Sequence, residues 1–209
     1  KELPNGKKVP QISCFVVETS WPGVERVRRS TFMGLRGIAN GSVSFKDVVV
    51  PAENIIGKPG EGLKIALATL NVGRLGLPAA GIGVGMAMVE DARWWITARQ
   101  QWGQPVGKHQ AIAKMVANYA AHLFAMKSMV YLTCAFADHK NADIRLEAAA
   151  AKYFCSETLY RILDDYLQVR GGRGYERAKS LYERGERPTS VEMAIRDMRV
   201  GRIFEGSSQ

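Results

Sequence analysis

Phe204-Glu205-Gly206-Ser207-Ser208-Gln209 closes the sequence with a carboxylate set between an aromatic ring and a run of small residues. A carboxylate held in an apolar cleft can take a proton from carbon as a general base. The same residue types also make an ordinary exposed loop glutamate. Upstream, Arg99-Gln100-Gln101-Trp102-Gly103 and His109-Gln110 gather a guanidinium fork, amides and an imidazole. An arginine fork matches a pyrophosphate, and amide groups complete its shell. A cation at a helix C-terminus, complementing the dipole before a turn, accounts for Arg99 equally well.

Gln168 precedes Gly171-Gly172-Arg173-Gly174-Tyr175. Glycines there permit left-handed backbone and the close approach of a ligand; a plain helix stop uses the same residues. Gly81-Ile82-Gly83-Val84-Gly85 lacks the spacing of the dinucleotide fingerprint and has no strand before it, so it reads as small residues that let helices pack closely. His122 and His139 have no partner at metal-ligand spacing. Cys14, Cys134 and Cys155 are too dispersed for a disulfide framework or a zinc site, and Cys134 and Cys155 read as buried free thiols.

These residues need elements to hold them. Residues 1–56 read as β, with β-rich runs at 12–18 and 24–33 and a third strand from Val43 that Pro51 stops. Three strands over so short a stretch leave edges unpaired, and the stretch reads as the tail of a truncated β-domain. From about Glu61 the period becomes helical. Leu63, Ala66, Leu67 and Leu70 mark a short helix ending near Gly73, and Ile82 to Ile96 mark a second. Ile112 to Thr133 give a third and Ile144 to Val169 a fourth. Residues 103–108 and 140–141 are expected loops, 176–188 a polar loop, and 190–203 a last helix. The expected fold class is mainly α: a C-terminal four-helix-bundle-type domain over 57–209, preceded by the remaining strands of the β-domain over 1–56.

Lys and Arg number 29 against 20 Asp and Glu, a net charge of +9, with 46% apolar and 23% charged residues. That is the balance of a globular chain and excludes intrinsic disorder. No uninterrupted apolar run approaches the roughly 20 residues of a membrane span, and the first residues lack the apolar core of a secretory signal. The positive charge admits anionic partners, but it is spread along the chain, so no nucleic-acid tract stands out.

Taken in order, a colinear series of short pieces resembles the C-terminal half of the acyl-CoA dehydrogenase family. The pieces are Met33-Gly34-Leu35-Arg36-Gly37, Phe45-Lys46-Asp47-Val48 with Val50-Pro51-Ala52-Glu53-Asn54, and Gly60-Glu61-Gly62. They continue with Arg99…Trp102-Gly103, His109-Gln110, Gln168…Gly171-Gly172 with Gly174-Tyr175, Arg196-Asp197 and Phe204-Glu205-Gly206. The resemblance implies α,β-desaturation of an acyl-CoA: a carboxylate removes the α-proton while the β-hydrogen leaves as hydride to FAD.

By position, the resemblance makes Glu205 the base. Some members place that base on a helix at the position of Gly73, which carries no carboxylate here. Arg74 matches an arginine near substrate and base, with Asn71 in place of a commoner aspartate, and Phe204 lies at the acyl pocket. Arg99, Gln101, His109, Gln110, Gln168, Gly171 and Gly172 match a site for the flavin's ADP portion that two protomers share; Ser207 and Gln209 contribute near Glu205. Arg170 stands where an apolar residue is usual, Ser207 replaces a threonine, and the 176–188 segment is longer than in medium-chain members, as in larger bacterial ones. The implied parent is a homodimer or homotetramer, bacterial cytoplasmic or mitochondrial, passing electrons to an electron-transferring flavoprotein or similar acceptor; the isolated piece would be inactive. An acyl-CoA oxidase on the same scaffold, and a non-catalytic assembly or nucleic-acid-binding relative, are the alternatives.

Overall fold

A computed structural model describes residues 4, 6–139 and 142–208. It forms two compact units, Lys1–Val72 and Gly73–Gln209. Its strands are β1 (Cys14–Phe15), β2 (Val24–Arg29), β3 (Gly41–Phe45), β4 (Ile55–Ile56), β5 (Gln100–Gln101) and β6 (Gln104–Pro105). Its helices are α1 (Gly62–Ala98), α2 (Gln110–Ala137), α3 (Arg145–Arg170), α4 (Gly172–Tyr175), α5 (Ala178–Glu183) and α6 (Val191–Met198). The architecture is mainly helical with few strands, as the periodicity predicts.

In the first unit the strands form two separate antiparallel pairs, β1 with β4 and β2 with β3. The β2–β3 register shifts between Arg26 and Arg28, which leaves Val27 without a cross-strand partner. The predicted third strand was to run on to Pro51, but β3 stops at Phe45 because Asp47 takes φ 51°, outside the extended region. The expected strand over 12–18 shrinks to Cys14–Phe15, matched by only two partner residues, Ile55 and Ile56. Phe15, Val16, Phe32, Phe45 and Val49 stay exposed, as expected of so small a β segment.

In the second unit, four helices share one core. Ile82, Met88 and Ala92 of α1 meet Tyr119, Met126 and Val130 of α2, the buried row Cys155, Leu159, Ile162 and Leu163 of α3, and Val191 and Ala194 of α6. The short helix expected to end near Gly73 and the second helix expected from Ile82 to Ile96 are one: α1 runs through Gly73, Gly76 and Pro78 without a break. Pro78 has no N–H to donate within the helix, at a cost of about 3 kcal/mol. Burial of the Ile82, Met88 and Ala92 side chains downstream, each worth about 1 to 3 kcal/mol for the large ones, outweighs it.

By length and windowed hydropathy α1 and α2 are each apolar enough to cross a membrane, a closer approach than uninterrupted runs suggest. Both nevertheless contribute to the shared core. The small-residue reading of Gly81 and Gly85 holds: an added Cβ would stand 3.1 Å from Leu159 Cδ2 at Gly81 and 3.0 Å from Leu123 Cδ1 at Gly85. Cys155 is fully buried, and burial pushes its thiol up to about 12, whereas Cys134 is only half-buried. The expected last helix divides into α6 and a tighter 3₁₀ stretch, Arg199–Arg202. Helix α5 occupies part of the expected polar loop, and the expected loop at 140–141 lies outside the described residues.

Candidate active site and cofactor groove

The carboxylate predicted as a base sits on a strained turn. Glu205 has φ 58° and Gly206 has φ 96°, two successive residues in left-handed backbone. For a glutamate that conformation costs on the order of 1 kcal/mol or more, so neighbouring groups must hold it. Arg74 Nε donates to the Glu205 carbonyl oxygen at 3.1 Å. Lys152, on α3 and 3% exposed, donates through Nζ to the Gly206 carbonyl oxygen. Arg202 Nε donates to Glu157 Oε1 at 2.6 Å, and Ser208 N to the Arg202 carbonyl at 3.1 Å, which fastens the segment on both sides of Glu205.

The side chain itself lies against α1. A Cβ built on Gly73 would stand 3.1 Å from Glu205 Oε2 and 3.2 Å from Oε1. Oε2 is buried and has no hydrogen-bond partner among the described residues. A half-buried carboxylate with one unengaged oxygen is the arrangement a proton acceptor needs. Phe204 precedes it and is partly exposed. Lys152 carries no signal in the sequence, where it falls inside the apolar row of α3. Burial first, then the Arg74 charge, hold its ammonium below the usual lysine range, while Glu157 and Glu205 pull it back.

The second group of predicted residues lines a groove of about 600 Å³. Arg99, Gln101, His109, Gln168, Gly171 and Gly172 all meet there, from the end of α1, the β5–β6 hairpin, the start of α2 and the end of α3. The hairpin turns on Trp102 (φ 55°) and Gly103 (φ 78°), two left-handed residues in succession, the geometry of a tight two-residue turn. His109 Nε2 donates to the Gln101 carbonyl oxygen at 3.2 Å. A carbonyl can only accept, so the proton sits on Nε2, and Nδ1 accepts from Gln104 Nε2 at 3.4 Å. The imidazole therefore braces the hairpin.

Gly171 ends α3 at φ 60° and ψ −141°, a region essentially restricted to glycine. No atom lies within 4 Å of an added Cβ at either Gly171 or Gly172, so the backbone faces open space. The helix stop and the room for a ligand are thus properties of the same turn. Gln110 opens α2 without lining the groove, and Ser207 lines a different hollow of about 300 Å³ with Glu157 and Arg202. Gln209 lies outside the described residues.

Below the groove a polar network escapes sequence reasoning. Asp91 Oδ2 accepts from Tyr166 Oη at 2.6 Å, Thr189 Oγ1 at 2.7 Å and Arg170 Nη1 at 3.1 Å. Arg187 Nε stands 3.7 Å from Oδ1. The Arg170 guanidinium also covers the Trp95 ring at 4.3 Å, and its Nε is buried without a partner among the described residues. Arg170, the departure from the family pattern, is therefore the counter-charge of a buried aspartate.

The family profile described as "Acyl-CoA dehydrogenase, C-terminal domain" matches residues 60–209. A "Probable acyl-CoA dehydrogenase" of Mycobacterium tuberculosis is 52% identical over 198 residues, covering 95% of this chain and 30% of that protein. The butyryl-CoA dehydrogenase of Megasphaera elsdenii superposes with a TM-score of 0.85 at 30% identity, over 95% of this chain and 49% of the other. An acyl-CoA dehydrogenase of Bacillus anthracis complexed with FAD gives 0.82 at 29% identity, over 94% and 35%. The chain thus spans about 30% of the length of the mycobacterial relative.

Proposed function

Because the chain belongs to the acyl-CoA dehydrogenase family, we propose that it is the C-terminal portion of a FAD-dependent enzyme that desaturates acyl-CoA thioesters between the α and β carbons. In this reading residues 1–56 complete a β-domain and 57–209 form the helical bundle domain. The observation that carries it is the Glu205 carboxylate, half-buried against Gly73 with Oε2 unengaged.

Glu205 takes the α-proton, whose acidity the adjacent thioester carbonyl supplies. FAD, when bound, would supply the acceptor for the β-hydrogen as hydride, while the electron pair of the broken α C–H bond would form the new double bond. Arg74 holds the base through its carbonyl and lies beside the substrate, and Phe204 borders the acyl chain. Arg99, Gln101, His109, Gln168, Gly171 and Gly172, which line the groove, would hold the ADP portion of the cofactor, with Gln110 adjoining them at the start of α2, and Ser207 and Gln209 would contribute near Glu205. The open space over Gly171 and Gly172, the guanidinium of Arg99 and the orphaned Nε of Arg170 fit a diphosphate-bearing group.

A second protomer completes the cofactor site in this reading. Phe124, Tyr131, Leu132 and Phe136 stand exposed on α2, an apolar surface suited to burial between subunits of a homodimer or homotetramer. Reducing equivalents leave to an electron-transferring flavoprotein or similar acceptor.

The test is anaerobic mixing of the full-length, FAD-loaded protein with straight-chain acyl-CoA thioesters from short to long. Loss of flavin absorbance and an enoyl-CoA product are expected. An unchanged flavin spectrum with all of them would overturn the reading, and rapid reoxidation by oxygen would assign an oxidase instead.

A further inference from the structure

Lys152 is the buried cation that the proposed reaction leaves unexplained. It is 3% exposed on α3, where an ammonium is costly to bury unless its N–H groups are matched. Its Nζ reaches the carbonyl oxygen of Gly206, the peptide that follows the proposed base. The preceding carbonyl, that of Glu205, is taken by Arg74 Nε at 3.1 Å. Arg74 Nη2 also lies 3.4 Å from where a Gly206 Cβ would be, so the guanidinium closes over the turn. Two successive carbonyls of a left-handed pair are thus pinned by two cations from different helices, α1 and α3.

We propose that Lys152 is a positioning residue for Glu205: by anchoring the Gly206 carbonyl it keeps the Glu205–Gly206 turn left-handed and the carboxylate aimed across Gly73. The inference rests on the reading of Glu205 as the base. Arg74 alone fixes only the first of the two carbonyls. Without the second anchor, Gly206 is free to rotate, and a glutamate released from its strained φ moves to ordinary backbone, carrying its carboxylate off Gly73. Lys152 is buried and acts through the Gly206 carbonyl, so its loss is expected to act on turnover and not on substrate affinity.

The experiment uses the full-length, FAD-loaded enzyme. Lys152→Met keeps the length of the stem and removes the donor, a swap a buried site tolerates. It is expected to lower kcat at least tenfold while the KM for acyl-CoA stays within twofold and flavin content is unchanged. Lys152→Ala is expected to lose as much and to regain kcat when ethylammonium is added. A second readout needs no turnover: amide hydrogen exchange across residues 203–208 should speed at least tenfold in Lys152→Met. Wild-type kcat in Lys152→Met, no recovery of Lys152→Ala with ethylammonium, or unchanged exchange across 203–208 each overturns the proposal. Glu205→Gln in the same enzyme separates the two claims: if it is inactive while Lys152→Met turns over normally, only the role of Lys152 falls, and if it is active the base assignment falls with it.

Discussion

The Glu205 carboxylate rests on Gly73, so closely that a Cβ at Gly73 would stand 3.1 Å from Oε2 and 3.2 Å from Oε1 and Cδ. The absence of a side chain on one helix is what makes room for the carboxylate that comes from the chain's far end. Contacts of 3.1 to 3.2 Å to a methyl are tight, but a carboxylate on a flexible side chain can swing away. Gly73→Ala is therefore expected to keep the fold, and to gain up to about 1 kcal/mol of helix stability. The displaced base should lower turnover by about tenfold or more, because misplacement by an ångström is costly in a proton transfer. Steady-state kinetics beside a denaturant titration checks both halves.

Asp91 gathers Tyr166, Thr189 and Arg170 around one oxygen beneath the groove. Removing one member of a buried ion pair strands the other charge, at about 3 to 5 kcal/mol. Asp91→Ala should lose that much in urea denaturation. The double variant Asp91→Leu/Arg170→Met should recover most of it, since no buried charge is left unpaired: Arg187, the remaining charged partner of Asp91, is 46% exposed.

Glu157 is held by Arg202, whose hydrogen bond keeps its carboxyl below the usual glutamate range. With the folded-state value depressed, the stabilisation is fully present above the unfolded carboxylate range and is lost as pH falls through the folded value. Glu157→Gln should thus lower the melting temperature of the full-length enzyme at pH 7, with the gap to wild type closing below about pH 4. A gap that stays constant down to pH 3 would contradict the assignment.

Gly171 and Gly172 separate backbone strain from ligand approach. Both face open space, but only Gly171 has a backbone that glycine alone adopts readily. Gly171→Ala should cost about 1 to 3 kcal/mol of stability. Gly172→Ala should leave stability unchanged yet weaken FAD retention, because its methyl enters the groove. Flavin absorbance after dialysis, beside thermal melting, reads the two effects apart.

Much of this was legible in the residues, and the exceptions share a cause. The groove residues lie in two short motifs, Arg99 to His109 and Gln168 to Gly172, whose types already suggest an anion. The period of 3.6 placed α2 and α3 well because their buried positions repeat without interruption. It failed at 62–98, where the pattern reads as ending near Gly73 but packing of the residues beyond Gly73, Gly76 and Pro78 carries the helix through. Lys152 and Asp91 were invisible because their partners lie far along the chain, 54 residues away at Gly206 and 98 away at Thr189. Arg170 was visible as an oddity in a glycine-rich turn, and its partner Asp91, 79 residues earlier, is what explains it.

The most direct test is the rate of flavin bleaching by acyl-CoA in the full-length Glu205→Gln enzyme, measured anaerobically with FAD content matched to wild type. Glutamine keeps the shape of the side chain and loses its ability to take a proton. A rate lower by about 10² to 10⁴-fold is expected, with acyl-CoA still bound. Bleaching at the wild-type rate would contradict it.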